Sequence, residues 1–230
     1  TDGGPEAINR FGGIARAGVT LAGLASVAIW YAGTTELELN YRRALLDGDV
    51  AQLERSVNRL AWLGRDSAEA RSQLAVLKAV NGDLQGALAT VHAAAELHET
   101  PATWNTLGII HERAGRLEQA IGATWQAVRL ESPSEGLLNR LGSLLVRGVD
   151  EGGGARDAAL AVTDRMLQRF EGVDARALRL GAIVYARAGD PGRAVDTARR
   201  GIEVAELQGD AVVADNLRSI LGAMAAVGSP

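Results

Sequence analysis

A glycine followed five residues later by an alanine occurs at Gly82 and Ala87 and again, 33 residues further on, at Gly115 and Ala120. A fixed period of this length is the signature of repeated helix pairs. Such a pair cannot bury its apolar face alone, so the chain must stack several of them into one continuous core. Composition agrees with that demand. The chain is 47% hydrophobic, ample for a core, yet only 4% aromatic. The interior must therefore be built from Ala, Leu, Val and Ile, which suits helices packed on helices, and an all-α fold is expected.

The clearest unit spans 101–134, PATWNTLGIIHERAGRLEQAIGATWQAVRLESPS, with Trp104, Leu107, Gly108, Ala120 and Ala127 at marked positions. This stretch resembles the tetratricopeptide (TPR) repeat. In that pattern Gly108 and Ala120 sit where the two helices of a unit cross, and larger side chains would force the backbones apart. Gly115 is expected to close the first helix in a left-handed conformation that a Cβ would disfavour. Leu107, Ile110 and Leu117 supply the apolar face, and Pro133 stops the second helix.

Neighbouring segments follow the template less closely. Ser67 to Thr100 carries Leu74, Ala75, Gly82, Leu84, Ala87, Ala94 and Leu97. Ser134 to Val173 carries Leu138, Leu141, Gly142 and Ala159, with about five extra residues around Gly152, Gly153 and Gly154 that read as a projecting, flexible turn. Ala175 to Gly209 carries Leu178, Ala182, Tyr185, Gly189, Ala194 and Ala198, and a degenerate unit covers Glu38 to Arg65. The last segment, 210–227, reads as one amphipathic capping helix through Val213, Leu217, Ile220, Leu221 and Met224. Four and a half helix pairs are expected, and the resemblance implies a right-handed superhelix.

Ahead of the repeats, Ala17–Thr35 runs without a charge. As a helix it rises about 28 Å and matches one membrane span. Trp30 and Tyr31 at one end and Arg16 at the other suit the two interfaces. The competing readings are a buried helix and a cleavable signal peptide; the latter lacks a small-x-small site after the apolar stretch. The domain reading is thus a tail over 1–16, a transmembrane helix over 17–35 and a TPR-like solenoid over 36–230. Val19, Leu21, Leu24, Val27 and Ile29 favour insertion by only about 1.5–3 kcal/mol together. Gly18, Ala22 and Ser26 recur every fourth position, and such a small-residue stripe, with Trp30 and Tyr31, reads as a surface for packing against other transmembrane helices. Arg10 and Arg16 lie nearer the span than Arg42 and Arg43, which points the solenoid to the periplasmic or extracytoplasmic side.

Chemistry is not evident. There are no cysteines, which removes disulfides, cysteine-ligated metals and thiol nucleophiles. His92 and His98 point to different sides of one helix and His111 lies in another repeat, so no metal or cofactor is expected and the chain reads as no enzyme. The glycine run ends in Ala155-Arg156-Asp157 where a phosphate loop would need Gly-Lys-Ser/Thr. A net charge of -4 argues against nucleic acid. Of the 24 basic residues only Lys78 is lysine, a bias typical of a GC-rich bacterial genome.

The concave face of a TPR array is lined by the first helix of each pair. Here that face offers Asn105, Ile109, Glu112, Arg113, Asn139, Ser143, Arg147, Arg176, Arg179 and Arg187. Guanidinium groups suit carboxylates, so an acidic peptide segment is the expected groove ligand, against the bland reading of solvated arginines. The function read from the sequence is a non-catalytic scaffolding subunit of a multi-subunit membrane complex, respiratory, photosynthetic or transport. The alternative is a membrane-tethered TPR chaperone or assembly factor that holds client segments in the groove.

Overall fold

The computed structural model of the protein describes residue 33 and residues 35–131, 134–170 and 174–227. The described residues form helices: α1 (residues 35–47), α2 (Val50–Trp62), α3 (Ala68–Val80), α4 (Leu84–Leu97), α5 (Pro101–Arg113), α6 (Leu117–Leu130), α7 (Glu135–Glu151), α8 (Gly153–Phe170), α9 (Ala175–Arg187), α10 (Pro191–Gln208) and α11 (Ala211–Val227). The all-α expectation holds, and the chain divides into two units, 1–70 and 71–230.

In the first unit α1 and α2 form an antiparallel hairpin. The turn is Gly48 and Asp49: the Asp49 N–H returns to the Ala44 carbonyl at 3.0 Å, and its carboxylate caps α2 by accepting the Gln52 N–H at 2.9 Å. Ala44, Leu53, Val57 and Leu60 are buried. At the open end Arg65 reaches back to Glu38, Nη2 to Oε1 at 3.0 Å.

In the second unit each helix from α4 onward packs on its successor, and α6, α7 and α9 also pack on the helix two further along, α8, α9 and α11 respectively. That double adjacency is the layered packing of stacked helix pairs, so a TPR-like repeat architecture is present. Three apolar clusters carry it. Ala75, Ala79, Ala87, Val91, Leu107 and Ile110 join α3, α4 and α5, with Ala123 from α6. Ile121, Leu141, Leu145, Met166 and Val184 join α6 to α9. Ala198, Ala205, Val213 and Leu217 seat α11 on α10. Each fully buried Leu or Ile contributes about 1.5–3 kcal/mol.

The turns repeat as well. Gly48, Gly82, Gly115 and Gly189 take φ of 71°, 89°, 70° and 75°; the left-handed backbone at Gly115 lets the next N–H, that of Arg116, reach back to the His111 carbonyl at 2.9 Å, ending α5 where the sequence placed the end. The second helices α4 and α10 start from an acidic cap, Asp83 accepting the Gly86 N–H at 2.8 Å and Asp190 the Arg193 N–H at 3.0 Å, whereas α6 starts at Arg116 with no side-chain cap. Tyr185 of α9 donates to Asp164 of α8, and Arg193 of α10 lies 4.3 Å from its ring centroid, so three helices share one polar tie.

The sequence reading fails at the third described pair of this unit. The extra residues around Gly152, Gly153 and Gly154 do not project as a flexible loop. They are absorbed into longer helices, 17 residues in α7 and 18 in α8, against 13 in α5 and 14 in α6. Gly152, with φ 79° and ψ -166°, makes the turn together with Gly153 at φ 52°. The physical reason is contact: a Cβ at Gly148 would lie 2.8 Å from the Ala155 carbonyl oxygen and from Ile121 Cδ1. The added turns are held by packing, and this outweighs the loop-forming tendency of three glycines.

The expected transmembrane helix over 17–35, with its stripe Gly18, Ala22 and Ser26 and with Trp30 and Tyr31, lies outside the described residues apart from positions 33 and 35; Pro133 lies outside them as well. Among the described residues no helix is long and apolar enough to cross a membrane.

Candidate functional site: the hollow between α7 and α9

Two first helices, α7 and α9, frame an open hollow of about 460 Å³. From α7 come Leu138, Asn139, Gly142, Ser143, Val146 and Arg147, and from α9 Arg176, Arg179, Leu180 and Ile183. The steps of three and four place each set on one helical face. Gly142 makes the floor: a Cβ there would lie 2.6 Å from Leu180 Cδ1, so the absent side chain is what lets α9 close on α7.

Of the residues expected in the groove, the structure brings Asn139, Arg147, Arg176 and Arg179 together here. Asn105, Ile109 and Arg113, one face of α5, do not line this hollow, and neither does Arg187 at the far end of α9. Half-buried Asn105 keeps its Oδ1 without a hydrogen bond. The sequence reading missed Val146 and Ile183, the apolar wall; the four-residue steps from Gly142 and Arg179 are the signal that would have found them.

The shared positive groove requires correction, because most of its arginines are already neutralised. Arg147 donates to Glu112 of α5, which also takes a 2.6 Å bond from Arg140 Nη2. Arg176 is held bidentately by Asp174, Nε to Oδ1 at 3.1 Å and Nη2 to Oδ2 at 2.9 Å. That bond raises the Arg176 pKa, burial opposes it, and Glu135 and Asp210 add to the rise. Arg187 grips Asp150 through Nε and Nη2 at 2.6 and 3.1 Å, which holds the Asp150 carboxyl below its usual range. Inter-helix ion pairs of this kind are invisible in a sequence, since their partners lie 35 and 37 residues apart.

Arg179 differs. It makes no ion pair among the described residues, and its Nε is buried without a hydrogen-bond partner. An unmet donor of this kind costs about 1–3 kcal/mol, more for a charged group, and it stands at the edge of an open, mainly apolar hollow. Glu135, Arg176 and Arg179 also line a second hollow of about 600 Å³ that adds Asp174, Asp210, Gln208, Val212 and Asn216. The continuous surface is therefore apolar beside α7 and acidic toward the start of α11, with Arg179 between.

The histidines form no site with them. Burial lowers the His111 pKa first, then the charges of Arg116 and His92. His92 of α4 and His111 of α5 thus lie near enough to repel. Among the described residues no group of three or more His, Asp or Glu could hold a metal ion.

No family profile matches the chain, and no curated protein matches it. Among solved structures, the crystal structure of the protein MamA aligns at 17% identity over 77% of this chain and 94% of that one, with a TM-score of 0.47. A tetratricopeptide repeat protein from Parabacteroides merdae aligns at 17% identity over 82% of this chain and 73% of that one, with a TM-score of 0.48. Scores of this size describe a loose likeness of helical arrangement and carry nothing about site or partner.

Proposed function

We propose that the chain is a non-catalytic scaffolding subunit of a multi-subunit membrane complex, held by the apolar segment 17–35 and docked through its helical repeats. The observation that carries the docking half is Arg179: a guanidinium with a buried, unmet Nε beside a hollow large enough for an apolar side chain. A guanidinium that makes no ion pair among the described residues, set beside this hollow, suits a peptide segment with a carboxylate next to an apolar residue. The membrane half is supported by the uncharged run itself and its flanking Arg16, Trp30 and Tyr31. Arg10 and Arg16 favour a solenoid outside the cytoplasm, so protease added to intact spheroplasts should digest it; protection there, with cleavage only in inverted vesicles, would reverse the orientation.

Co-purification in mild detergent tests the docking. Arg179→Glu should lose the partners, while Arg187→Glu should keep them, since Arg187 is already committed to Asp150. Equal recovery from both variants would remove the hollow as the docking site. A single stoichiometric set of partners supports a subunit, and many substoichiometric clients would support the tethered chaperone instead.

A further inference from the structure

In the first unit Trp62 is 86% exposed and Leu39 is 58% exposed. A tryptophan so placed forfeits a large burial energy, and the geometry of the hairpin says where it stands. From the turn at Gly48, α2 runs from Val50 to Trp62 while α1 runs back from Asp47 to residue 35, the same number of steps and about 18 Å of rise. The Arg65 to Glu38 bond at 3.0 Å fixes this pairing at the open end. Trp62 is therefore level with residue 35, where the uncharged stretch Ala17–Thr35 ends in the sequence.

We propose that the open end of the α1/α2 hairpin rests on the bilayer, with Trp62 and Leu39 in the interfacial layer of lipid. This rests on the membrane-anchored reading above and adds a second, peripheral contact to the span. The occupant follows from position: whatever surrounds the end of the apolar segment must also meet the residues level with it. Tryptophan is favoured at that depth because its ring is apolar and its indole N–H stays hydrated. Arg59, exposed on the last turn of α2, is one turn from Trp62 and suited to lipid phosphates. Leu46 is also exposed, at 87%, but it lies about 10 Å farther along α1, at the closed end, and faces water.

The absence of cysteine from the chain makes a clean depth measurement available. Trp62→Cys, Leu39→Cys and Leu46→Cys variants of the full chain, each carrying one nitroxide, are reconstituted into phosphatidylcholine/phosphatidylglycerol vesicles, and collision with oxygen is compared with collision with a water-soluble nickel chelate. Labels at 62 and 39 should show an oxygen-to-nickel ratio severalfold above the label at 46. A chain that reconstitutes and resists carbonate extraction, yet gives water-like ratios at all three positions, overturns the interfacial contact and leaves the anchor standing. Labels at 62 and 39 shielded from both reagents would mean that protein covers this end, which also overturns it. A chain that leaves the vesicles in carbonate overturns the anchor and this contact together.

Discussion

Gly108 and Thr124 occupy one space: a Cβ on Gly108 would stand 2.5 Å from Thr124 Oγ1, with the Ala120 carbonyl oxygen at 3.4 Å. Thr124 is fully buried and cannot swing into solvent, so α5 and α6 meet at this distance only while position 108 has no side chain. Gly108→Ala should therefore destabilise by about 1–3 kcal/mol through overpacking, although alanine is the better helix former. Pairing it with Thr124→Ala should recover part of the loss, a coupling that chemical denaturation of the two singles and the double reads directly.

Ala120, also fully buried, lies on the same crossing. Ala120→Leu should cost about 1–3 kcal/mol, and Glu118→Gln on the exposed face almost nothing. Equal melting temperatures for the Ala120 variant and the parent would exclude this register.

Gly152 turns α7 into α8 at φ 79° and ψ -166°, a region closed to residues with a Cβ. Gly152→Ala should lower stability by about 1–3 kcal/mol. A variant as stable as the parent would show that the insertion is a tolerant loop after all. Gly136, where a Cβ would meet nothing within 4 Å, is the neutral control.

Tyr185 gives the fold a dependence on alkaline pH. Burial, and then its hydrogen bond to Asp164, push the phenol pKa up from 10.0 to about 12. The folded state thus favours the protonated phenol. Its contribution is whole below pH 10 and is lost as the pH rises toward about 12. Stability measured across that window should fall in the parent, and the part due to this group should vanish in Tyr185→Phe.

For the membrane segment, replacing Gly18, Ala22 and Ser26 with Leu distinguishes insertion from packing. Leucine inserts better than any of the three, so a stripe that merely tolerates lipid would leave partner recovery unchanged. A stripe that packs against another helix would be blocked. The expected result is a protein that stays in the membrane and loses its partners, with a chain starting at residue 38 as the folding control.

Much of the fold was legible because helix pairs are specified locally. The Gly115 turn, the unit's start at Pro101 and the apolar steps through Leu107 and Ile110 need only the nearest neighbours in sequence, and they appear where the pattern places them. The groove was half legible. Spacing set Asn139 with Arg147 on one face of α7 and Arg176 with Arg179 on one face of α9, a local property; that the two faces meet was implied only by the resemblance to the TPR array.

The length of α7 and α8 and the state of each arginine were decided elsewhere. Three consecutive glycines read locally as a loop, and only the approach of Gly148 to Ala155 and Ile121 explains why the helices run on. Arginines 147, 176, 179 and 187 look alike along the chain. Three are neutralised by Glu112, Asp174 and Asp150, two of these carboxylates brought in from another helix, and Arg179 keeps an unmet donor. By itself, then, the sequence determined the repeat, its single-glycine turns and its helix faces, because these depend on short-range backbone preference and periodicity. Only the tertiary structure decided which charge remained unpaired, because a charge is neutralised by whatever the fold sets beside it.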